Sequence, residues 1–542
     1  MDHAAYDGNL VRSKLETFKA VDLEYVRKLI QKAPNKTCDL DPIPTSILKA
    51  TIDTIAPIVL KIINTSLDTS KMPSAFKTAI VKPLLKKPGL DLIHKNYRPV
   101  SNLAFISKLI EQSVIDQLEK HSTNNDLDDN LQSACRPHHS TETALLHIVD
   151  DLLVTMDSRH AILLGMLDLS AAFDTINHDI MLERLSSSQG LAIPVIKWFE
   201  SYLRGRTQRV VVDNCISEPI AVDDGAVQGS KIGCRLYKKY VEPLGKLLKH
   251  SDCSNHGYAD DNTIWKSVNP ASESSVYEGI TSLEYTLEEV RSWMLANKLC
   301  LNDSKTEFIV FGQNRHTKSM PECSLQIGDD KIQPVLSVKS LGVTLDSNLN
   351  FKEHITNIVK ACRFNIRRAW LIRRYLDENT AKRLMLATVI SRLDYCNSLL
   401  VNLPDKYIKQ LQRVQNAAAR LVALTPKRDP ITPTLKTLHW LPIRYSIRYK
   451  ICVIVHKCVY GEAPIYLKDL IKLHVPSREL RSSSELRLSV PSVKQTTIEN
   501  CAFSRAGPKV WNELPNSFRN TKSLPKFKSS LKTYFVSKAF LE

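Results

Sequence analysis

The stretch HGYADDNTIW, His256 to Trp265, sets two carboxylates side by side, Asp260 and Asp261, between apolar segments. Like charges this close repel, and burying either ionised group without a partner is unfavourable. Two arrangements accommodate the pair. It is a solvated turn between two strands, or it faces cations that neutralise it. Both require a hairpin with the acids near its tip.

A third acid points to the second arrangement. In LLGMLDLSAAFDTINHD an apolar run of buried-strand length ends at Asp168. If Leu163 to Leu167 is that strand, Asp168 sits at its carboxyl end, where many sheets with α/β connections bind ligands. The structural alternative is that Asp168 caps the next helix, with Ser170 as a competing cap. A hairpin projecting Asp260 in front of this strand brings three carboxylates together, and divalent metal removes their conflict. Mg2+ takes oxygen ligands from a few carboxylates plus substrate phosphates. Two such ions about 3.5–4 Å apart clamp the attacking and leaving oxygens of an in-line phosphoryl displacement.

At 542 residues the chain holds several domains, and 43% apolar content is enough for a sizeable core. Charge is unevenly placed. Phe351 to Glu542 carries 35 Lys and Arg against 13 Asp and Glu, whereas Met1 to Asn350 carries 39 against 44. A basic half joined to a nearly neutral one is the pattern of a polyanion-binding region, nucleic acid above all. The 12 cysteines form no small-domain framework, which predicts reduced thiols in an intracellular protein. No apolar run reaches the roughly 18 residues of a membrane span, and the first residues lack the layout of a signal peptide.

Periodicity predicts a helix over VDLEYVRKLIQKAP and another opening near Thr45, then a strand in TAIVKPLLKKPG. NYRPVSNLAFISKLIEQSVIDQLEKHS reads as an extended piece followed by a long helix, and a further helix opens at Ser140. Between Ala161 and Val268, strands (AILLGML, QRVVVD, the YADD hairpin) alternate with helical stretches, including DLSAAFDTINHDIMLERL and the segment after AVQGSKIG. This argues α/β or α+β. Beyond Asn350 the chain reads as helical, with PDKYIKQLQRVQNAAARLVALTP placing Pro404 at the first helical position. Cys452, His456 and Cys458 lie close together, but without a CxxC pair they read as core rather than as zinc ligands. His178 reads as a helix-terminal or structural residue.

Taken in order, NYRPVSNLAFISKLIE, HSTETALL, LDLSAAFDTINHD, VQGSKIG, YADD, LNDSKTEFIVFG and SLGVTLDSNLNFKEHI resemble the reverse transcriptases of non-LTR retrotransposons, in their CR1/L2-like, jockey-type lineage. LDYCNSLL, QNAAARLV, LHWLPI and GPKVWNELP of the basic tail resemble it too. The resemblance implies an α+β, right-hand polymerase (fingers, palm, thumb) with an antiparallel palm sheet and a helical, basic C-terminal domain. The implied segments are a helical linker over 1–65, fingers and palm over 66–345, a thumb over 346–425 and the basic domain over 426–542. It implies an RNA-directed DNA polymerase, with Asp168, Asp260 and Asp261 as catalytic metal ligands, joined by the Leu169 carbonyl. Phe173 matches the gate against a 2′-hydroxyl. Gln228 and Gly229 match the loop against the incoming nucleotide. Arg98, with Lys82, matches the triphosphate-holding cations, Lys305 the proton donor to pyrophosphate, and Leu341, Gly342 and Val343 the primer grip.

The implied cofactor is a pair of Mg2+ ions, with Mn2+ as a substitute. The implied partners are template RNA, primer DNA, deoxynucleoside triphosphates and a separate endonuclease, since no upstream endonuclease is expected in this chain. No membrane is involved, and nucleus or cytoplasm is the expected place. The sequence departs from the family around the glutamine. Where GVPQGSVLGP is usual, it reads GAVQGSKIGC, with Val227 and Cys234 replacing prolines and Lys231 replacing an apolar residue. Those changes motivate an alternative, a catalytically silent truncated remnant that binds RNA or DNA. An intron-type maturase is a third reading.

Overall fold

The computed structural model describes residues 13–540 apart from 37, 88, 171–172, 214, 303–304, 319, 475–485 and 493–498. The chain divides into two compact units that interleave in sequence. One is Met1–Cys135 with Asp168–Ser251 and Leu287–Asp303; the other is Arg136–Leu167 with Asp252–Thr286 and Ser304–Glu542. The expected segments 346–425 and 426–542 both fall in the second.

In the first unit, helix Leu23–Lys32 opens where the Asp22 carboxylate accepts from the Tyr25 N–H at 2.7 Å, and it buries Val26 and Ile30. Strand Thr78–Leu85 pairs antiparallel with Tyr97–Asn102 and parallel with Arg206–Val212. The long helix Phe105–Asn125 follows directly. The expected helical turns after Asp168 are delayed. Leu169–Ser170 is a short strand paired with Cys300–Leu301, and the helix runs from His178 to Ser187. Its cap is Asn177, whose side chain accepts from the Ile180 N–H at 3.2 Å. Among the described residues the first helix after Asp168 is thus capped by Asn177, and the Asp168 carbonyl accepts from the Asn302 N–H at 2.9 Å.

The thiols depart from expectation. Cys135 and Cys234 are joined as a disulfide, their Cα atoms 6.6 Å apart, while the other ten cysteines are free. Their separation of 99 residues gave no spacing signal.

The second unit is built on a sheet in the order Pro334–Val335, Glu307–Phe311, Ala161–Leu167, Asp261–Val268, Ser254–Tyr258. The central strand is buried except at Met166, because neighbours cover both of its edges and helix Thr141–Asp157 contacts it. Each of Ile162, Leu163, Leu164 and Leu167 contributes roughly 1.5–3 kcal/mol by leaving water. The helix opens with a capping box, Ser140 with Thr143.

The carboxyl-terminal helices belong to the same unit. The Ser504 N–H donates to Asp150 at 2.7 Å, and Arg505 pairs with Asp157 at 2.8 Å in a buried contact. Burial pushes the Asp150 carboxyl up to about 6, with the Ser504 bond pulling against it. Helix Asp405–Ala423 begins one residue later than expected, so Pro404 is its cap rather than its first residue. Cys452, His456 and Cys458 are core: the His456 ring stacks on Phe527 at 4.3 Å and its Nε2 bonds the Thr521 carbonyl at 2.8 Å. Among the described residues, no helix is long and apolar enough to cross a membrane.

Beneath the acidic hairpin, His256 and His147 face each other with their Nδ1 atoms 3.1 Å apart, and Tyr466 touches both rings. One nitrogen must donate and the other accept, so at least one ring of the pair is neutral. Burial, above all, holds both imidazoles below their ordinary value. The unfolded chain takes up protons below about pH 6.5 while the folded chain resists them, so this layer's stability is present above that pH and lost as pH falls. Melting temperature is expected to fall between pH 7.5 and 5.5 more steeply in the wild type than in a His147→Phe, His256→Phe variant. That comparison cancels the opposite contribution of Asp150. Asp157→Ala, which strands a buried guanidinium, is expected to cost about 3–5 kcal/mol in denaturant unfolding.

Candidate active site

The two units carry separate parts of the constellation. In the first unit the segment 223–228 closes a cleft of about 340 Å3 against Ala79, Pro99 and Ser101 of the strand pair, with Asp174 in its lining. The loop is strapped on several sides. The Ser101 N–H donates to the Gln228 carbonyl at 2.9 Å, the Ala226 N–H to the Phe173 carbonyl at 2.7 Å, and the Gly225 N–H to the Ile176 carbonyl at 2.8 Å. His178 Nε2 bonds the Gly225 carbonyl at 2.9 Å, which gives it both of its expected roles.

Gly229 sits at φ 115°, and a Cβ there would lie 2.2 Å from the Ser101 carbonyl oxygen. No side chain fits, so glycine is what lets the loop press against the strand. The Gln228 amide donates to both Asp174 carboxylate oxygens at 3.1 Å. Burial raises the Asp174 pKa and this bond counteracts it. Asp174 was not singled out from sequence, although it directly follows Phe173. The Phe173 ring is half-buried and lies 4.8 Å from the Tyr237 ring.

The family departures acquire partners. The Lys231 N–H donates to the buried Glu111 carboxylate at 2.7 Å, and its ammonium reaches Gln112 at 3.1 Å. Cys234, at the start of helix Gly233–His250, is tied to Cys135. Where prolines would fix φ, these two anchors hold the chain just after the loop.

Lys82 and Arg98 lie on the strand pair. Leu84 is opposite Arg98 and Lys82 opposite Val100, so both cations share one sheet face. Pro99 and Ser101, which line the cleft, are on the other. Lys82 pairs with Asp39 at 3.0 Å, and Arg98 is exposed.

In the second unit, Tyr258 pairs with Asp261, leaving Ala259 and Asp260 as the turn. Ala259 has φ 57°, a left-handed value that costs roughly 1–2 kcal/mol for a residue with a Cβ. The ladder continues to Leu167 opposite Asn262. In the chain, Asp168 follows Leu167 and Asp261 precedes Asn262. Lys305 lies two residues before Glu307, which pairs with Met166. The expected primer grip is a hairpin: Ser340 pairs with Val343, and Leu341 and Gly342 form the turn with φ 45° and 85°. Positive φ at both positions suits the twist of a two-residue hairpin. The Tyr395 hydroxyl donates to the Leu341 carbonyl at 2.7 Å, a support that sequence spacing did not reveal.

As donors, three carboxylates and a backbone carbonyl are hard oxygens, the set that suits Mg2+ or Mn2+. Among the described residues no three His, Cys, Asp or Glu side chains are grouped closely enough to hold a metal ion. The donor chemistry fits; a preassembled cage is not seen.

Residues 85–345 match the family described as reverse transcriptase (RNA-dependent DNA polymerase). The chain is 28% identical to the RNA-directed DNA polymerase from mobile element jockey of Drosophila melanogaster, over 65% of this chain and 38% of that one. It is 26% identical to the probable RNA-directed DNA polymerase from transposon X-element of the same species, over 74% and 43%. It thus spans about two fifths of the curated relatives it matches. Among solved structures, apo telomerase from Candida tropicalis is similar with a TM-score of 0.38 and 11% identity, over 71% of this chain and 66% of that one; a likeness so distant fixes nothing about chemistry. Residues 85–345, which hold the acidic hairpin and the glycine-pinned glutamine loop, thus match the reverse transcriptase family, and the chain is similar to RNA-directed DNA polymerases of jockey and X-element mobile elements.

Proposed function

We propose that this chain is an RNA-directed DNA polymerase that extends a primer 3′-hydroxyl with deoxynucleotides. The observation that carries the reading is the pairing of Leu167 with Asn262, which sets the chain positions of Asp168 and Asp261 at one end of one ladder. The right-hand assignment follows the same reading. Fingers and palm occupy 66–345 after a linker, the thumb 346–425, and the basic domain the remainder.

In this reading the primer oxygen bonds to the α-phosphorus, the bond to the bridging oxygen breaks, and pyrophosphate leaves. Asp168, Asp260, Asp261 and the Leu169 carbonyl would hold two Mg2+ ions, which supply charge neutralisation at the attacking and leaving oxygens. Arg98 and Lys82 are the cations this reading assigns to the triphosphate, Arg98 by planar two-point contact, although they lie on the sheet face opposite the cleft. Gln228 and Gly229 present a backbone surface to the nucleotide, fixed by Asp174 and Ser101. Phe173 excludes a 2′-hydroxyl. Lys305 protonates departing pyrophosphate, and the Leu341–Gly342 turn with Val343 steadies the primer. Template RNA and the hybrid are held mostly through phosphates by the basic region. An intracellular location completes the proposal.

The silent-remnant reading draws on the altered glutamine loop. Primer extension with purified protein, RNA template, DNA primer and Mg2+ separates the two. Asp260→Ala is expected to lower extension by several orders of magnitude while RNA affinity changes little; equal extension by both proteins rejects the polymerase assignment. Gly229→Ala, which drives a methyl into the Ser101 carbonyl, is expected to cost about 2–4 kcal/mol locally. It should raise the KM for deoxynucleotide well before melting temperature collapses, as steady-state extension beside thermal unfolding will show.

A further inference from the structure

The helix Lys352–Ile372 and the turn Arg373–Tyr375 carry a feature that the phosphoryl-transfer reading leaves unused. Its core face holds Ile355, Val359, Cys362, Ile366 and Ala369, all buried. On the opposite side Phe364 is 59% exposed, and further along Trp370 is 47% and Tyr375 71% exposed. Aromatic rings standing in water along a folded helix are unusual and mark a contact surface. Cations alternate with them: Arg363, Arg367 and Arg368 are exposed. The guanidinium of Arg368 lies over the Phe364 ring at 5.7 Å, and that of Arg374 over the Tyr375 ring at 4.6 Å. From His354 to Leu376 the sequence contains no Asp or Glu.

The support beneath this face is rigid. Arg373 is buried and donates to the Leu421 carbonyl at 2.7 Å, the Val422 carbonyl at 2.8 Å and the Leu376 carbonyl at 2.6 Å. These bonds lock the end of the helix to helix Asp405–Ala423, so little order remains to be gained on binding. From Phe364 to Tyr375 the surface extends about 16 Å.

We infer that this face is a stacking platform for an unpaired nucleic-acid strand, the single-stranded template RNA if the polymerase reading holds. The choice between strand and duplex follows from what each presents. Phosphates attract the arginines in either form. A duplex hides the faces of its bases, so exposed rings gain little from it. A single strand offers those faces, and each base stacked on an aromatic ring adds affinity without regard to sequence. The platform would hold template outside the copied hybrid.

The test is fluorescence anisotropy of the full chain in EDTA, without nucleotide, using a labelled unstructured single-stranded RNA and an RNA–DNA duplex of equal length. Phe364→Ala with Tyr375→Ala is expected to weaken single-strand binding about ten- to a hundred-fold and duplex binding less than twofold. Phe364→Leu with Tyr375→Leu keeps apolar bulk for folding, and it should show most of the same loss. Arg367→Ala with Arg368→Ala should weaken both ligands and flatten the salt dependence. Unchanged single-strand affinity in the folded aromatic variants, or an equal loss for the duplex, overturns the proposal. Because nothing is polymerised, the outcome is independent of whether Asp260 is catalytic.

Discussion

The antiparallel ladder between Ala161–Leu167 and Asp261–Val268 is the constraint on which the rest depends. Strand pairing has no freedom at the single-residue level, since a slip of one residue would turn every side chain to the other face. Here the register is fixed by the buried Ile162, Leu163 and Leu164 against Ile264 and Trp265. It therefore also fixes where the chain leaves the ladder, at Leu167 and Asn262. Core packing in this protein sets the address of its charges.

A second principle is visible in the loops. Gln228 and Leu341 both lie beside glycines with positive φ, and both are held by groups distant in sequence, Asp174 and Ser101 for one, Tyr395 for the other. The backbone conformations are ones that few residues adopt, and tertiary contacts hold them there. Lys231 and Cys234 show that such a loop can be anchored by means other than proline.

Much of this was legible in the sequence. The apolar run before Asp168, the YADD turn, the long helix after NYRPV and the Pro404 helix were read from periodicity and turn chemistry, because these are local. The helix start after Asp168 was misplaced because the short strand Leu169–Ser170 is made by pairing with Cys300–Leu301, a partner no local pattern announces. Asp174, Tyr395 and the Cys135–Cys234 bond were missed for the same reason. The alternation of rings and arginines in Lys352–Ile372 was present in the sequence, yet its meaning depends on which side the core takes.

The clasp between Ser504, Arg505 and the helix Thr141–Asp157 spans 354 and 348 residues of chain. During synthesis the helix must wait, with Asp150 and Asp157 uncovered, until the segment carrying Ser504 and Arg505 has left the ribosome. Late closure of this kind exposes a partly built unit to aggregation. Any message ending before the codon for Phe503 would yield a product in which Asp150 and Asp157 never meet these partners, so the clasp reports that translation has passed this point.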